Sequence, residues 1–280
     1  MDYKIIADSS ADLLELEGIE FESVPLKIIT SEKEYVDDGS LDVDGMIADL
    51  QKYKGASRSS CPNMGEWKES FGEHENIFCV TITSNLSGSY NAAEMAMQDY
   101  LSEHSDRSGY VIDTLSVGPE SVLIIEKLRE LISSGLHFEE IKEKIIAYKK
   151  NTHLIFCLDS LRNLANNGRV SHAVAKIAGI LGIRIVGKAS NEGTLEITDK
   201  ARGADKALAA ILKNMTSTGF RGGIVRIHHC QNLTAAETLG KMIKGKFKDA
   251  VVKIQETRAL CSFYAESGGL LVGYEGAAKY

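Results

Sequence analysis

Ile77-Phe78-Cys79-Val80-Thr81-Ile82 runs directly into Thr83-Ser84-Asn85-Leu86-Ser87-Gly88-Ser89-Tyr90, and the reading of this stretch decides the fold. Its first six residues form a continuous apolar run, the pattern of a strand covered on both faces. A polar turn follows, then a helix from Gly88 to Leu101 that carries Ala92, Ala93, Ala96 and Met97. A buried strand that delivers a helix is one unit of a parallel α/β sheet.

The same rhythm extends to both sides. Tyr3–Ala7 reads as a strand ending at Asp8-Ser9-Ser10, and Phe21–Ile28 as a second strand. Val43–Tyr53 has helical spacing, with Met46, Ile47 and Leu50 on one face. Asn63 and Glu66 stand at capping-box spacing ahead of a short helix through Trp67 and Phe71. Tyr110–Ile112 is another strand; Ser121–Ile132 and Phe138–Tyr148 are helices, the first ended by Gly135. Residues 1–150 are therefore expected to form an N-terminal parallel α/β/α domain.

After Asn151 the pattern changes. Leu154–Leu158 is a strand and Leu161–Leu164 a helical turn, broken by Asn166-Asn167-Gly168. Ser171 caps a helix expected to reach about Leu181. Asn191-Glu192-Gly193 between Ile183–Ala189 and Thr194–Thr198 signals a hairpin. Helix and strand then alternate over Ala204–Met215, Gly223–His228, Ala235–Ile243 and Val251–Gln255, and a short helix is expected near Leu270–Ala277. Residues 151–280 are thus expected to form a C-terminal α/β domain with a mixed sheet.

Composition narrows the function. The 280 residues are 44% hydrophobic and 25% charged, as in an ordinary globular protein of about two domains. A net charge of −7, from 32 basic and 39 acidic residues, argues against nucleic acid as a partner. The five cysteines stand singly, with no paired spacing for a disulfide framework or a zinc site. The N-terminus shows no basic segment leading into an apolar stretch, and no run approaches membrane-spanning length. The expectation is a reduced, cytoplasmic protein without a metal or cofactor.

Three segments share one chemistry: Arg58-Ser59-Ser60-Cys61-Pro62-Asn63, Thr83 to Tyr90, and Ser267-Gly268-Gly269. Each places small hydroxyl residues or glycines at an expected helix start, where free backbone N–H groups and the helix dipole favour an anion. None contains a strong general base or a metal-ligand cluster. The combination fits a site that holds an anionic head group without transforming it.

Other residues have a plainer reading. Asp8 fits an N-cap and a pocket role equally. Strand alternation sends His228 and His229 to opposite faces, one exposed and the other a satisfied structural histidine. Arg169, after Asn167-Gly168, is expected to be exposed. The run Ile177–Ile185 is core by default, and its Gly179 and Gly182 would leave room for an acyl chain. From Asp159 to Lys206, Arg162, Arg169, Lys176, Arg184, Lys188, Lys200, Arg202 and Lys206 face only Asp159, Glu192, Glu196, Asp199 and Asp205. That local excess of positive charge suits either a docking face for an acidic partner or an uneven solvated surface.

The motifs together resemble the DegV family of bacterial lipid-binding proteins, nearly end to end. Asp8-Ser9-Ser10-Ala11-Asp12 looks like its opening Asp-Ser motif, and Ser59-Ser60-Cys61-Pro62 is similar to its Thr-Ser-x-Pro motif. Thr83 to Tyr90 resembles its Ser-Ser-x-Leu-Ser-Gly-Thr-Tyr loop, and Leu161 to Ser171 its Leu-x-x-Gly-Arg-Ile-Ser element. The resemblance implies a two-domain protein with a long-chain fatty acid between the domains, presented to a separate fatty acid kinase and not turned over by the chain itself. Transient membrane contact for lipid exchange would accompany that role. Carried over by motif, head-group contacts fall on Ser59, Ser60, Ser87 and Gly88; Ser267 and Gly268 of the third small-residue segment are expected to join them. Arg169 and Arg202 match arginines of the pocket mouth and kinase docking.

One departure stands out. Where the family pattern is His-x-Gly-x-Gly, this chain has Tyr264-Ala265-Glu266-Ser267-Gly268. Tyr264 replaces a histidine that contacts the carboxylate, and its hydroxyl donates the same kind of hydrogen bond without a charge. Glu266 is expected to bring a repulsive charge near the head group. The rival reading is an enzyme acting on a small phosphate or carboxylate metabolite in the interdomain cleft. Against it, no nucleophile elbow, phosphate-binding lysine loop or metal motif occurs.

Overall fold

The computed structural model describes residues 2–178 and 182–279. In chain order the elements of the first half are β1 (Tyr3–Asp8), a 3₁₀ turn (Ser9–Ala11), β2 (Glu20–Val24), β3 (Lys27–Ile29), β4 (Glu34–Val36), α1 (Val43–Lys52), β5 (Arg58–Ser60), α2 (Met64–Phe71), β6 (Asn76–Thr81), α3 (Ser89–Glu103), β7 (Ser108–Asp113), α4 (Pro119–Ser133) and α5 (Phe138–Lys149). The second half holds β8 (Thr152–Leu158), α6 (Arg162–Asn166), α7 (His172–Ala178), β9 (Ile183–Ala189), β10 (Leu195–Arg202), α8 (Ala204–Ser217), β11 (Ile224–His229), α9 (Leu233–Lys246), β12 (Val251–Glu256), α10 (Ala259–Ala265) and β13 (Leu270–Glu275). Gly179 and the expected end of its helix near Leu181 lie outside the described residues.

The deciding strand behaves as its sequence implies. β6 lies inside a four-stranded parallel sheet of order β2-β1-β6-β7. Phe78 and Val80 join Ile124, Leu128 and Ile141 of α4 and α5 on one face. Ile77 and Cys79 join Trp67, Phe71, Ala93 and Ala96 of α2 and α3 on the other. Asn63 and Glu66 close the capping box that starts α2.

The second sheet is mixed, of order β10-β9-β8-β13-β11-β12, with the expected hairpin β9-β10 antiparallel and β11-β12 parallel. α8 and α9 cover one face through Leu208, Ile211, Leu239 and Ile243. α4 packs against both sheets, touching β1 and β6 on one side and β8, β11 and β13 on the other. That approach requires Gly273 on β13: a Cβ there would lie 2.5 Å from the Pro119 carbonyl carbon. The result is a two-domain α/β protein joined across α4.

Three local expectations are corrected. Phe21–Ile28 is not one strand: Pro25 has no N–H and a fixed φ, and the chain leaves the parallel sheet there. β3 instead joins β4 and β5 in a small antiparallel sheet. Leu270–Ala277 is not a helix, since β13 pairs antiparallel with β8 and β11 in the centre of the mixed sheet. Neither His228 nor His229 is exposed; their strand is covered on both faces, with 0% and 2% exposure. Among the described residues no helix is long and apolar enough to cross a membrane.

Candidate functional site

Between the two domains lies a largely apolar cavity, the kind of concave lining that holds small molecules. The mixed sheet supplies one wall through Leu154, Phe156 and Leu158 of β8 and Leu271 of β13. These side chains face the cavity because Ile155 and Cys157, one step out of phase, point into the core under α8 and α9. Leu26, Ile82, Leu86 and Val117 come from the N-terminal domain, and Leu195 from β10. α10 contributes Leu260, Cys261, Tyr264 and Ala265, which form one stripe at helical spacing. That spacing is the helix's own signal in the sequence, beyond the elements expected there.

Among the described residues, polar side chains in the lining are confined to Ser59, Ser87, Arg169 and Tyr264, beside the Cys261 thiol. The four gather at one end. The Ser59 and Tyr264 hydroxyls are hydrogen-bonded at 2.6 Å. The Arg169 guanidinium carbon lies 5.8 Å from the centre of the Tyr264 ring. Arg169 Nε donates to the Leu86 carbonyl at 3.1 Å, which places it beside Ser87. Ser87 Oγ accepts the Ser89 N–H at 3.3 Å at the start of α3. Burial raises the Tyr264 pKa above the ordinary phenol value, opposed by its bond to Ser59 and the charge of Arg169. The tyrosine is therefore a neutral donor throughout the neutral range.

The other sequence candidates lie elsewhere. Ser60 Oγ turns to the Cys61 carbonyl at 3.3 Å, and Gly88 is the exposed N-cap of α3. Neither lines the cavity. Ser267-Gly268-Gly269 is the exit of α10 into β13 and not a helix start, so it offers no free helix N–H groups. Ser267 faces a separate polar cleft with Arg162 and Asn163, and the Gly268 carbonyl accepts from Asn232 Nδ2 at 2.6 Å. Arg202 is exposed at the end of the edge strand β10. Arg169, expected to be exposed, is half-buried at the cavity.

Asp8, which fits an N-cap or a pocket role, and Glu266, expected near the head group, both lie outside the cavity lining. Asp8 is buried and accepts from Ser10 Oγ, Ser89 Oγ and the Ile82 N–H, which ties β1 to the start of α3. Burial raises its pKa against those bonds. Glu266 does not face the head-group cluster. It accepts from Ser160 Oγ at 2.8 Å and the Asn163 N–H at 3.2 Å and pairs with Arg162 at 3.3 Å, which clasps α10 to α6.

Comparison with known proteins agrees with this architecture. A DegV domain-containing protein of Streptococcus pneumoniae is 44% identical over 279 residues, covering 98% of this chain and 99% of the relative. The structure of the Streptococcus pneumoniae Fatty Acid Kinase (Fak) B3 protein loaded with linoleic acid superposes with a TM-score of 0.97 at 44% identity, covering 99% of this chain and 100% of the other. A DegV family protein from Eubacterium eligens loaded with heptadecanoic acid gives 0.96 at 42% identity, covering 98% and 100%. Residues 2–275 match the family model described as "Uncharacterised protein, DegV family", and the chain belongs to the DegV family.

Proposed function

We propose that this chain binds one long-chain fatty acid, its tail in the interdomain cavity and its carboxylate at the Ser59, Ser87, Arg169 and Tyr264 end. The observation that carries the reading is the segregation of that lining among the described residues: apolar along the mixed sheet, with the polar Ser59, Ser87, Arg169 and Tyr264 gathered together. Burying a tail of roughly 15 methylenes yields on the order of 12 kcal/mol gross at about 0.8 kcal/mol each. A hydrogen bond to a charged acceptor nets about 1.5–3 kcal/mol. The tail thus supplies affinity and the polar end supplies orientation. Two relatives of similar fold carry linoleic and heptadecanoic acid, which supports the same ligand class here.

The finer roles follow from the same reading. The chain holds the acid for a separate fatty acid kinase and performs no chemistry of its own; its Streptococcus pneumoniae relative bears the name Fatty Acid Kinase (Fak) B3 protein. It acts in the cytoplasm, with transient membrane contact for lipid exchange. The two domains divide near residue 150, a position supported by the clean separation of strands between the two sheets. Arg202, exposed and outside the cavity, is a docking residue, whereas Arg169 belongs to the mouth. Organic extraction followed by mass spectrometry tests the ligand class. A long-chain acid in about equimolar amount is expected. A lipid-free protein that also takes up no added fatty acid would overturn it.

Tyr264 makes the head-group assignment testable through pH. Its raised pKa keeps the phenol protonated, and a bound carboxylate is ionised above about pH 5. Affinity should therefore be flat between about pH 6 and 8. Tyr264→Phe should weaken binding by about 1.5–3 kcal/mol. Tyr264→His should tighten binding as pH falls through about 6.5, because only the protonated ring adds a charge. Titration calorimetry on the three proteins distinguishes these outcomes; a steep pH dependence in the unmodified chain rules out the phenol as the donor.

A further inference from the structure

We infer that Phe156 and Gly187 together set the width of the tail cavity and so select the shape of acyl chain that enters. The inference rests on the fatty-acid reading above. β8 and β9 pair antiparallel with Phe156 directly opposite Gly187. Phe156 lines the cavity, and alternation along the strands puts the Gly187 position on the same face. A Cβ built on Gly187 would lie 2.2 Å from Phe156 Cζ and 2.6 Å from its Cε2. The ring therefore lies across the main chain of β9, in the notch left by the missing side chain. On its other flank Phe156 pairs with Leu271, which lines the cavity too.

The consequence is geometric. With any side chain at position 187 the ring has to leave the notch and rise toward the cavity, narrowing it over β8. With a smaller residue at position 156 the notch empties and the cavity widens toward β9. Gly187 thus serves specificity through the position of an aromatic ring, and its lack of a side chain makes a broad floor possible in a strand that otherwise presents Ile185. A broad floor suits a chain kinked by cis double bonds better than a narrow one, which would admit only straight saturated chains.

The test is competitive loading. Delipidated protein is equilibrated with equal amounts of octadecanoic and linoleic acid, and the bound ratio is read by mass spectrometry. Phe156→Leu should shift the ratio about tenfold toward linoleic acid, the scale on which apolar pockets resolve one methylene. Gly187→Ala should shift it the opposite way. Because the new Cβ would also lie 2.6 Å from the Glu196 carbonyl oxygen, that variant can fail to fold, and Phe156→Leu then decides alone. A Phe156→Leu ratio within about twofold of the unmodified chain overturns the inference while leaving fatty-acid binding intact. An unmodified chain that loads neither acid overturns both.

Discussion

Asp12→Ala is expected to cost about 2–6 kcal/mol of stability, because it strips the partner from the buried His228 ring nitrogen and the half-buried Arg258 N–H, at about 1–3 kcal/mol each. Asp12 follows the 3₁₀ turn of the N-terminal domain and is fully buried at its side chain. Oδ2 bonds His228 Nδ1 on β11 at 2.8 Å, and Oδ1 accepts the Arg258 N–H at 2.7 Å. Its carbonyl also accepts from Gln255 Nε2 at 2.9 Å. One residue of the first domain thus fixes the ends of β11 and β12 and the entry to α10. Its φ of 57° lies in the left-handed region, which aspartate tolerates better than alanine. The effect should reach the ligand, because α10 carries Leu260, Cys261 and Tyr264. Urea unfolding and fatty-acid titration on Asp12→Ala and Asp12→Asn test this. An alanine variant as stable as the unmodified chain would show that the interdomain bonds contribute nothing net.

Asp37 shows why that helix was hard to read from sequence. It accepts the Ala259 and Leu260 N–H groups at 3.1 and 3.0 Å, capping α10 from more than two hundred residues away. Burial pushes its pKa up to about 6 against those bonds and the charge of Arg258. A cap on the preceding residues leaves a local signature, as Asn63 and Glu66 do; a cap supplied by another domain leaves none. β13 was misread for a related reason: Leu270-Leu271-Val272-Gly273-Tyr274 is too short for periodicity alone to separate strand from helix. Its neighbours β8 and β11 decide the matter, and both lie far away in sequence.

The candidate site divides the same way. Ser59 and Ser87 are legible because they stand at local strand-to-helix transitions, Ser59 in β5 before α2 and Ser87 in the turn between β6 and α3. Arg169 was legible as a residue but not as a cavity wall, since its position depends on the Leu86 carbonyl in the other domain. Glu266 was read as a repulsive charge on the strength of its neighbours in sequence. Its backbone, at φ 54° and ψ 169°, lies near a region that is essentially glycine's. That conformation turns the carboxylate away from the cavity and onto α6, where its hydrogen bonds offset the strain. A glycine in the family pattern at this position marks the backbone requirement and not the absence of a charge.

Leu195→Asp should abolish fatty-acid binding, lowering affinity by several kcal/mol, more than about a thousandfold. Leu195 begins β10 opposite Ala189, is half-buried and lines the cavity. The adjacent turn, with Asn191 and Glu192, is exposed, so in the empty protein an aspartate there reaches water and the fold should survive. When a tail fills the cavity, that water is excluded and the carboxylate must be desolvated without a partner. The penalty falls on the complex alone, so stability without ligand should change by less than about 1 kcal/mol while loading disappears. Leu195→Met, which conserves volume and apolarity, should load nearly as the unmodified chain does. Both variants are read by urea unfolding and by mass spectrometry of bound lipid. An aspartate variant that still loads fatty acid at full occupancy would place the tail away from β10, and the segregated lining would then no longer assign the polar end to the carboxylate.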